Sequence, residues 1–237
     1  MWNGKKKAVT FSFDDGVTQD IRFIEILRKY NLKGTFNVNS GLMGKDGALP
    51  LVVGGEIRHD KIAKDLVKSV YDGFEIAAHT VDHFNLTTLS KEEIVWQVET
   101  DRKALSKIFG YEIVGMAYPC GEINNDERVA GIIKENTPIQ YARTITSSYS
   151  FDLQENLLRF NPTVYYIEDC FEEIVDKFLA LDEKSLDKPQ LLYIWGHSYE
   201  MDAGYISWEN FERICKKLSG HADIFYGTNK EVLLQNR

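Results

Sequence analysis

Cysteine is scarce in this chain and does not pair by pattern. Cys120, Cys170 and Cys215 are the only three in 237 residues, an odd number without close Cys-x-x-Cys spacing. That excludes a disulfide framework and a thiolate metal centre. Cationic side chains are outnumbered, 28 Lys and Arg against 36 Asp and Glu, for a formal charge of −8. Binding to a phosphate backbone depends on cationic neutralisation, so nucleic acid is not an expected partner. The lysines at 5–7 read as a solvated terminus. No stretch is long and apolar enough to form a transmembrane segment. No signal-like apolar run lies near Met1, so the chain as given reads as cytoplasmic. A chain whose export signal had been removed would look the same, which keeps an extracellular location as the alternative. Gly and Pro are at ordinary levels and no fixed-period repeat is present, so neither a low-complexity tail nor a repeat array is expected.

What is present suffices for a core. The apolar fraction is 43%, and the length suits one α/β barrel or open α/β sheet, so a single domain over 1–237 is expected. Short apolar runs at 8–13, 34–38, 74–78, 113–117, 139–144, 191–195 and 224–226 read as strands, with a weakly marked one at 157–160. Helical stripes cover 19–30, 60–71, 91–109, 126–135, 169–181 and 208–218, and Ser90 with Glu93 makes a capping box before the longest. The Gly-rich segment 39–55 reads as a loop excursion. Alternation of this kind implies a largely parallel sheet with helical crossovers. Asp14, Asp15, His79, Pro119 and His197 each fall just past a strand's carboxyl end, where such sheets place their active sites.

Four segments carry chemistry. Asp14-Asp15-Gly16 sets two carboxylates against a glycine that permits a sharp turn. In extended backbone they point in opposite directions, one to a metal and one to substrate; a plain Asp-Asp-Gly turn is the structural alternative. His79-Thr80-Val81-Asp82-His83 places two imidazoles four apart, on one face if helical, able to share an ion with Asp15. Asp82 should face away from both rings. Tyr118-Pro119-Cys120-Gly121 offers a rigid turn whose backbone N–H groups suit an oxyanion. His197, after Trp195-Gly196, shares the same rim and reads equally as structural or catalytic.

Together these residues resemble the polysaccharide deacetylase family, the NodB-homology carbohydrate esterases. The matching motifs are Ser12-Phe13-Asp14-Asp15-Gly16, His79-Thr80-Val81-Asp82-His83 and Trp195-Gly196-His197, in family order. The resemblance implies a distorted (β/α) barrel of about seven parallel strands. It makes Asp14 the general base, Asp15, His79 and His83 the metal ligands, and His197 the general acid, with the Cys120 N–H helping to hold the oxyanion. The divalent ion suits zinc, cobalt or another first-row metal, and only the resemblance favours zinc. The implied reaction is removal of N-acetyl groups from amino sugars of an oligo- or polysaccharide. An O-acetyl esterase and a non-catalytic carbohydrate-binding relative are the alternatives. Two departures stand out: the family's Arg before the motif Pro is replaced at Ala117, and the acidic and tryptophan elements of the fourth motif are missing around 141–151. Arg143 is expected to take over that Arg's work through paired hydrogen bonds to Asp14. Tyr118, Tyr165, Tyr166, Trp195 and Tyr199 could line a sugar groove.

Overall fold

The computed structural model describes residues 1–51 and 54–235; residues 52 and 53, inside the expected loop excursion, lie outside the described residues. The chain begins β1 (Lys7–Asp14), α1 (Asp20–Lys29), β2 (Gly34–Val38), and then a small antiparallel hairpin of β3 (Ala48–Pro50) and β4 (Glu56–Arg58). There follow α2 (Val67–Val70), β5 (Glu75–Ala78), α3 (Lys91–Phe109), β6 (Gly115–Ala117), α4 (Glu127–Asn136) and β7 (Tyr141–Arg143). The last part holds β8 (Val164–Tyr165), α5 (Phe171–Leu179), β9 (Gln190–Gly196), α6 (Tyr199–Asp202), α7 (Trp208–Leu218), β10 (Ile224–Tyr226) and α8 (Asn229–Leu234). The main strands pair in parallel in the order β7-β6-β5-β2-β1-β9-β8, with β10 beside the start of β1. This is the expected α/β architecture, a curled, open parallel sheet forming a distorted half-barrel.

All eight residues of β1 are buried, as expected of a strand covered on both faces. The period of two divides them. Val9, Phe11 and Phe13 pack outward with Phe23 of α1 and Phe211 of α7, and the Phe13 and Phe23 rings lie 3.9 Å apart. Thr10, Ser12 and Asp14 face inward. On the neighbouring strands Asn37 and Tyr193 share that inner side, and Arg143 reaches it from β7 at the edge of the sheet: Asn37 Nδ2 donates to both Ser12 Oγ and Asp14 Oδ1, and Arg143 Nη2 to Asp14. The inner side of the sheet is therefore polar, and its upper layer lies at the carboxyl ends of the strands. Ser90 and Glu93 form both bonds of the expected capping box on α3, an arrangement worth about 1 kcal/mol.

Three local expectations are overturned. The segment 60–71 is helical only at Val67–Val70, because the backbone at 59–62 is spent on distant partners: His59 N–H donates to Gly47 O, Lys61 N–H to Lys45 O and Ile62 N–H to Gly16 O. The excursion 39–55 is not a plain loop, since it carries β3, which pairs with β4 just beyond it. Residues 157–160 are not a strand: Leu157–Arg159 is a turn of 3-10 helix, and Phe160 makes a lone parallel bridge to Arg143. Among the described residues no helix is long and apolar enough to cross a membrane, and all three cysteines are free.

Candidate active site

The first carboxylate pair departs from its expected geometry. Asp15 adopts φ +83°, outside extended backbone, and donates its N–H to Asn37 O at 3.0 Å. That left-handed step turns both carboxylates into one cavity instead of splaying them apart. Gly16 follows at φ +63°, where a Cβ would meet Val38 Cγ1 at 3.0 Å, so the sharp turn selects glycine there.

Asp14 accepts a 2.7 Å bond from Asn37 Nδ2 on one oxygen and one from Arg143 Nη2 on the other. Burial alone would favour the neutral acid, but Arg143, His79 and His197 together hold its pKa below the usual carboxylate range. Arg143 is fully buried and lies behind the cavity wall, its guanidinium 4.5 Å from the Trp195 ring. The expected paired fork does not form. Nη2 reaches Asp14, Nη1 donates to Thr144 O at 2.9 Å, and Nε has no partner.

Asp15 Oδ1 lies 3.3 Å from His83 Nε2 and 3.8 Å from His79 Nε2, buried without a hydrogen-bond partner. His79 Nδ1 sits 2.9 Å from Ala117 O. A carbonyl only accepts, so Nδ1 carries the proton and Nε2 presents its lone pair to Asp15. Burial first of all lowers the His79 pKa to about 4, keeping the ring neutral as a ligand must be. Among the described residues, Asp15, His79 and His83 offer ligand atoms all within 4.8 Å of one another. A carboxylate oxygen that accepts no hydrogen bond and faces two neutral imidazoles fits a first-row divalent ion.

The histidine pair converges without the helical turn expected of it. Residues 79–83 are irregular, with Thr80 at φ +67° and His83 at φ +62°. Several long-range bonds hold this shape. Asp101 of α3 accepts from His79 N–H at 2.9 Å and from Ser40 N–H at 2.7 Å, and Asn39 Nδ2 donates to Thr80 O at 3.0 Å. Asp82 turns away from both rings, as expected, to Gln97.

Opposite the triad, His197 Nε2 lies 3.9 Å from Asp14 Oδ2. Its Nδ1 is 3.3 Å from Glu200 Oε1, while its backbone N–H donates to Glu200 Oε2 at 3.0 Å. Burial opposes a charged ring, yet the charge and hydrogen bond of Glu200, with Asp15 and Asp14, push the pKa up to about 9. Cys120 stands on the rim at φ +72°, its turn tied by Asn124 Nδ2 to Tyr118 O and Cys120 O. Its thiol donates to His83 O at 3.2 Å.

These groups surround a cavity of about 590 Å³. Asp14, Asp15, His79, His83, Cys120 and His197 all line it, as do Tyr118, Tyr165, Trp195 and Tyr199; Tyr166 instead buries its hydroxyl against His197 O. Leu42, Leu49 and Ile145 complete an apolar wall. Sequence reasoning missed Glu200, whose i+3 spacing from His197 was the available signal. It also missed His59 and Lys61, concealed by the helix expected from 60.

Similarity to known proteins agrees with this geometry. The sequence profile described as polysaccharide deacetylase matches residues 2–134. The chain is 26% identical over 125 residues to the peptidoglycan-N-acetylmuramic acid deacetylase PdaC of Bacillus subtilis (strain 168), 52% of this chain and 23% of that protein. The matched part spans less than half the length of the curated relatives. Among solved structures, a family 4 carbohydrate esterase from Streptomyces lividans in complex with acetate aligns with a TM-score of 0.58 and 15% identity, over 94% of this chain and 93% of that one. BA3943, a CE4 family pseudoenzyme from Bacillus anthracis, aligns with a TM-score of 0.55 and 16% identity, over 96% and 66% of the two chains. Identities this low show a shared fold alone. The profile match covers more than half of the sequence and contains the motifs of Asp14, Asp15, His79 and His83, and on that ground the chain belongs to the polysaccharide deacetylase family.

Proposed function

We propose that this protein removes N-acetyl groups from amino sugars in an oligo- or polysaccharide, using a divalent ion, zinc by preference, held by Asp15, His79 and His83. The observation that carries the reading is the flanking of that triad by two oppositely tuned groups: an anionic Asp14 braced by Arg143, and a cationic His197 paired with Glu200. Titratable groups whose surroundings drive their pKa values apart mark acid and base roles.

When bound, the ion supplies a Lewis acid for the acyl carbonyl and lowers the pKa of water. Asp14 takes the proton from the attacking water, its second oxygen fixed by Asn37. The Cys120 N–H is the proposed donor to the developing oxyanion. His197 donates a proton to the departing amine. An amine leaves only with that proton, whereas an alkoxide needs it less, so a histidine charged at neutral pH suits an amide better than an ester. Similarity to an N-acetylmuramic acid deacetylase supports an amino-sugar substrate, and the aromatic wall suits pyranose faces.

The test is acetate release by zinc-loaded protein from N-acetylated oligosaccharides and from matched O-acetyl sugars, beside metal analysis of His79→Ala. Faster release from the N-acetyl series and loss of metal in the variant are expected. Faster release from the O-acetyl series would move the assignment to an esterase. Full metal content in His79→Ala would remove the ligand assignment.

A further inference from the structure

The segment that returns from β4 to the catalytic rim brings in two side chains that the metal triad alone does not require. It is bolted to the turn after β1: Thr18 N–H donates to Asp60 O at 2.9 Å, Ile62 N–H to Gly16 O at 2.9 Å, and Val17 bridges Lys61. In this extended stretch His59 and Lys61 share one side, while Asp60 turns away to Gly47 N–H. Both alternate residues converge on Asp15. His59 Nε2 lies 3.0 Å from Oδ2, its ring set edge-on against Tyr199 at 4.8 Å. Lys61 Nζ lies 3.5 Å from Oδ1, the same oxygen that faces His79 and His83. The side chains are only 15% and 8% exposed.

We propose that His59 and Lys61 form a clamp on Asp15 that tunes metal affinity in opposite senses, His59 raising it and Lys61 lowering it. The proposal rests on the metal reading of the triad. By donating to Oδ2, His59 commits that oxygen and leaves Oδ1 to face the imidazoles, the kind of outer hydrogen bond that orients a ligand. Lys61 acts the other way. Its ammonium shares Oδ1 with whatever cation enters, and two like charges in a buried site repel strongly because little water screens them. Without metal, the same ammonium compensates Asp15 beside a second buried carboxylate, Asp14. The pair therefore keeps the donor set assembled in the empty protein, His59 by orienting Asp15 and Lys61 by compensating its charge, and Lys61 makes the ion easier to exchange than the triad with His59 alone would.

The test is the zinc dissociation constant of the full chain at one pH, read by competition with a chromogenic chelator. His59→Ala should bind roughly 10–100-fold more weakly. Lys61→Met should bind about tenfold more tightly or better, and Lys61→Arg, which keeps the charge, should stay near the unmodified protein. In chelator, Lys61→Met should also melt at a lower temperature, and zinc should restore it. His79→Ala controls for the site itself: unchanged zinc binding there would remove the triad reading, whatever the clamp variants do. Loss of zinc in His79→Ala together with unchanged or weaker binding in Lys61→Met would overturn the clamp. Should Lys61→Met fail to fold, Lys61→Gln removes the same charge while staying polar and carries the same expectation.

Discussion

The two ends of β5 hold buried polar residues of opposite character. At its start, Glu75 is surrounded by neutral donors: Thr35 Oγ1 at 2.7 Å, the Lys230 backbone N–H at 2.8 Å and Tyr141 OH at 2.9 Å. Burial raises its pKa, and those hydrogen bonds only partly offset the rise. Just past the strand's other end, His79 joins Asp14, Asp15, Lys61, Arg143 and His197, where charges face one another and Asp15 Oδ1 accepts no hydrogen bond. Left-handed backbone gathers there too, at Asp15, Thr80, His83 and Cys120, each costing on the order of 1 kcal/mol or more. A buried carboxylate whose lone pairs are satisfied by neutral donors holds a fold together. One left without a hydrogen bond beside two neutral imidazoles is suited to a metal ion.

The sharpest way to break this contrast is Asp14→Asn. The amide keeps the shape but not the basicity, so kcat should fall by roughly 10²–10⁴-fold while bound metal stays constant. Retained turnover would return Asp14 to a structural role.

Glu200→Gln should come next, with a loss of about 10–100-fold at pH 8. Glu200 is the chief group raising His197 to about 9, so its removal lowers that pKa and the alkaline limb of the pH–rate profile should move to lower pH. An unmoved limb would show that Glu200 does not govern the acid.

Arg143→Lys should cost roughly tenfold in kcat, with metal content and KM nearly unchanged, because a flexible ammonium replaces a fixed guanidinium nitrogen. Arg143 is the largest influence lowering the Asp14 pKa. Weakening it should shift the acidic limb to higher pH. Normal turnover with an unmoved limb would leave the Ala117 departure without compensation.

The smallest catalytic effect belongs to the other end of the strand. Glu75→Gln should leave kcat within about twofold but cost about 1–3 kcal/mol of stability, since an amide nitrogen would face groups that now donate. The folded pKa of Glu75 is raised, so its protonation contributes stability fully below the unfolded value near 4.3. That contribution is lost as pH rises through the folded value. The deficit of the variant, measured by urea unfolding, should therefore be greatest in acid and shrink towards neutrality. A deficit that grows with pH would contradict the sign.

Local sequence determined a good deal of this protein. The apolar run of β1, the capped stripe of α3 and the order of strand ends carrying Asp14, His79, Pro119 and His197 each follow from contacts within one element, which hydrophobic period and capping chemistry record. Period-two alternation also places Ser12 with Asp14, and Tyr141 with Arg143, on common faces. Tertiary structure decided the rest. The helix expected over 60–71 shrank because backbone groups at 59–62 found partners at Gly16, Lys45 and Gly47, and the same registration delivered His59 and Lys61 to Asp15. His79 and His83 converge through left-handed turns held by Asp101 and Asn39, not through helical spacing. Arg143 meets Asp14 across 129 positions of sequence, with one hydrogen bond where two were expected. Such contacts leave no local period, because each depends on which distant donor or acceptor the closed fold places opposite, and a buried polar group takes the partner that is there.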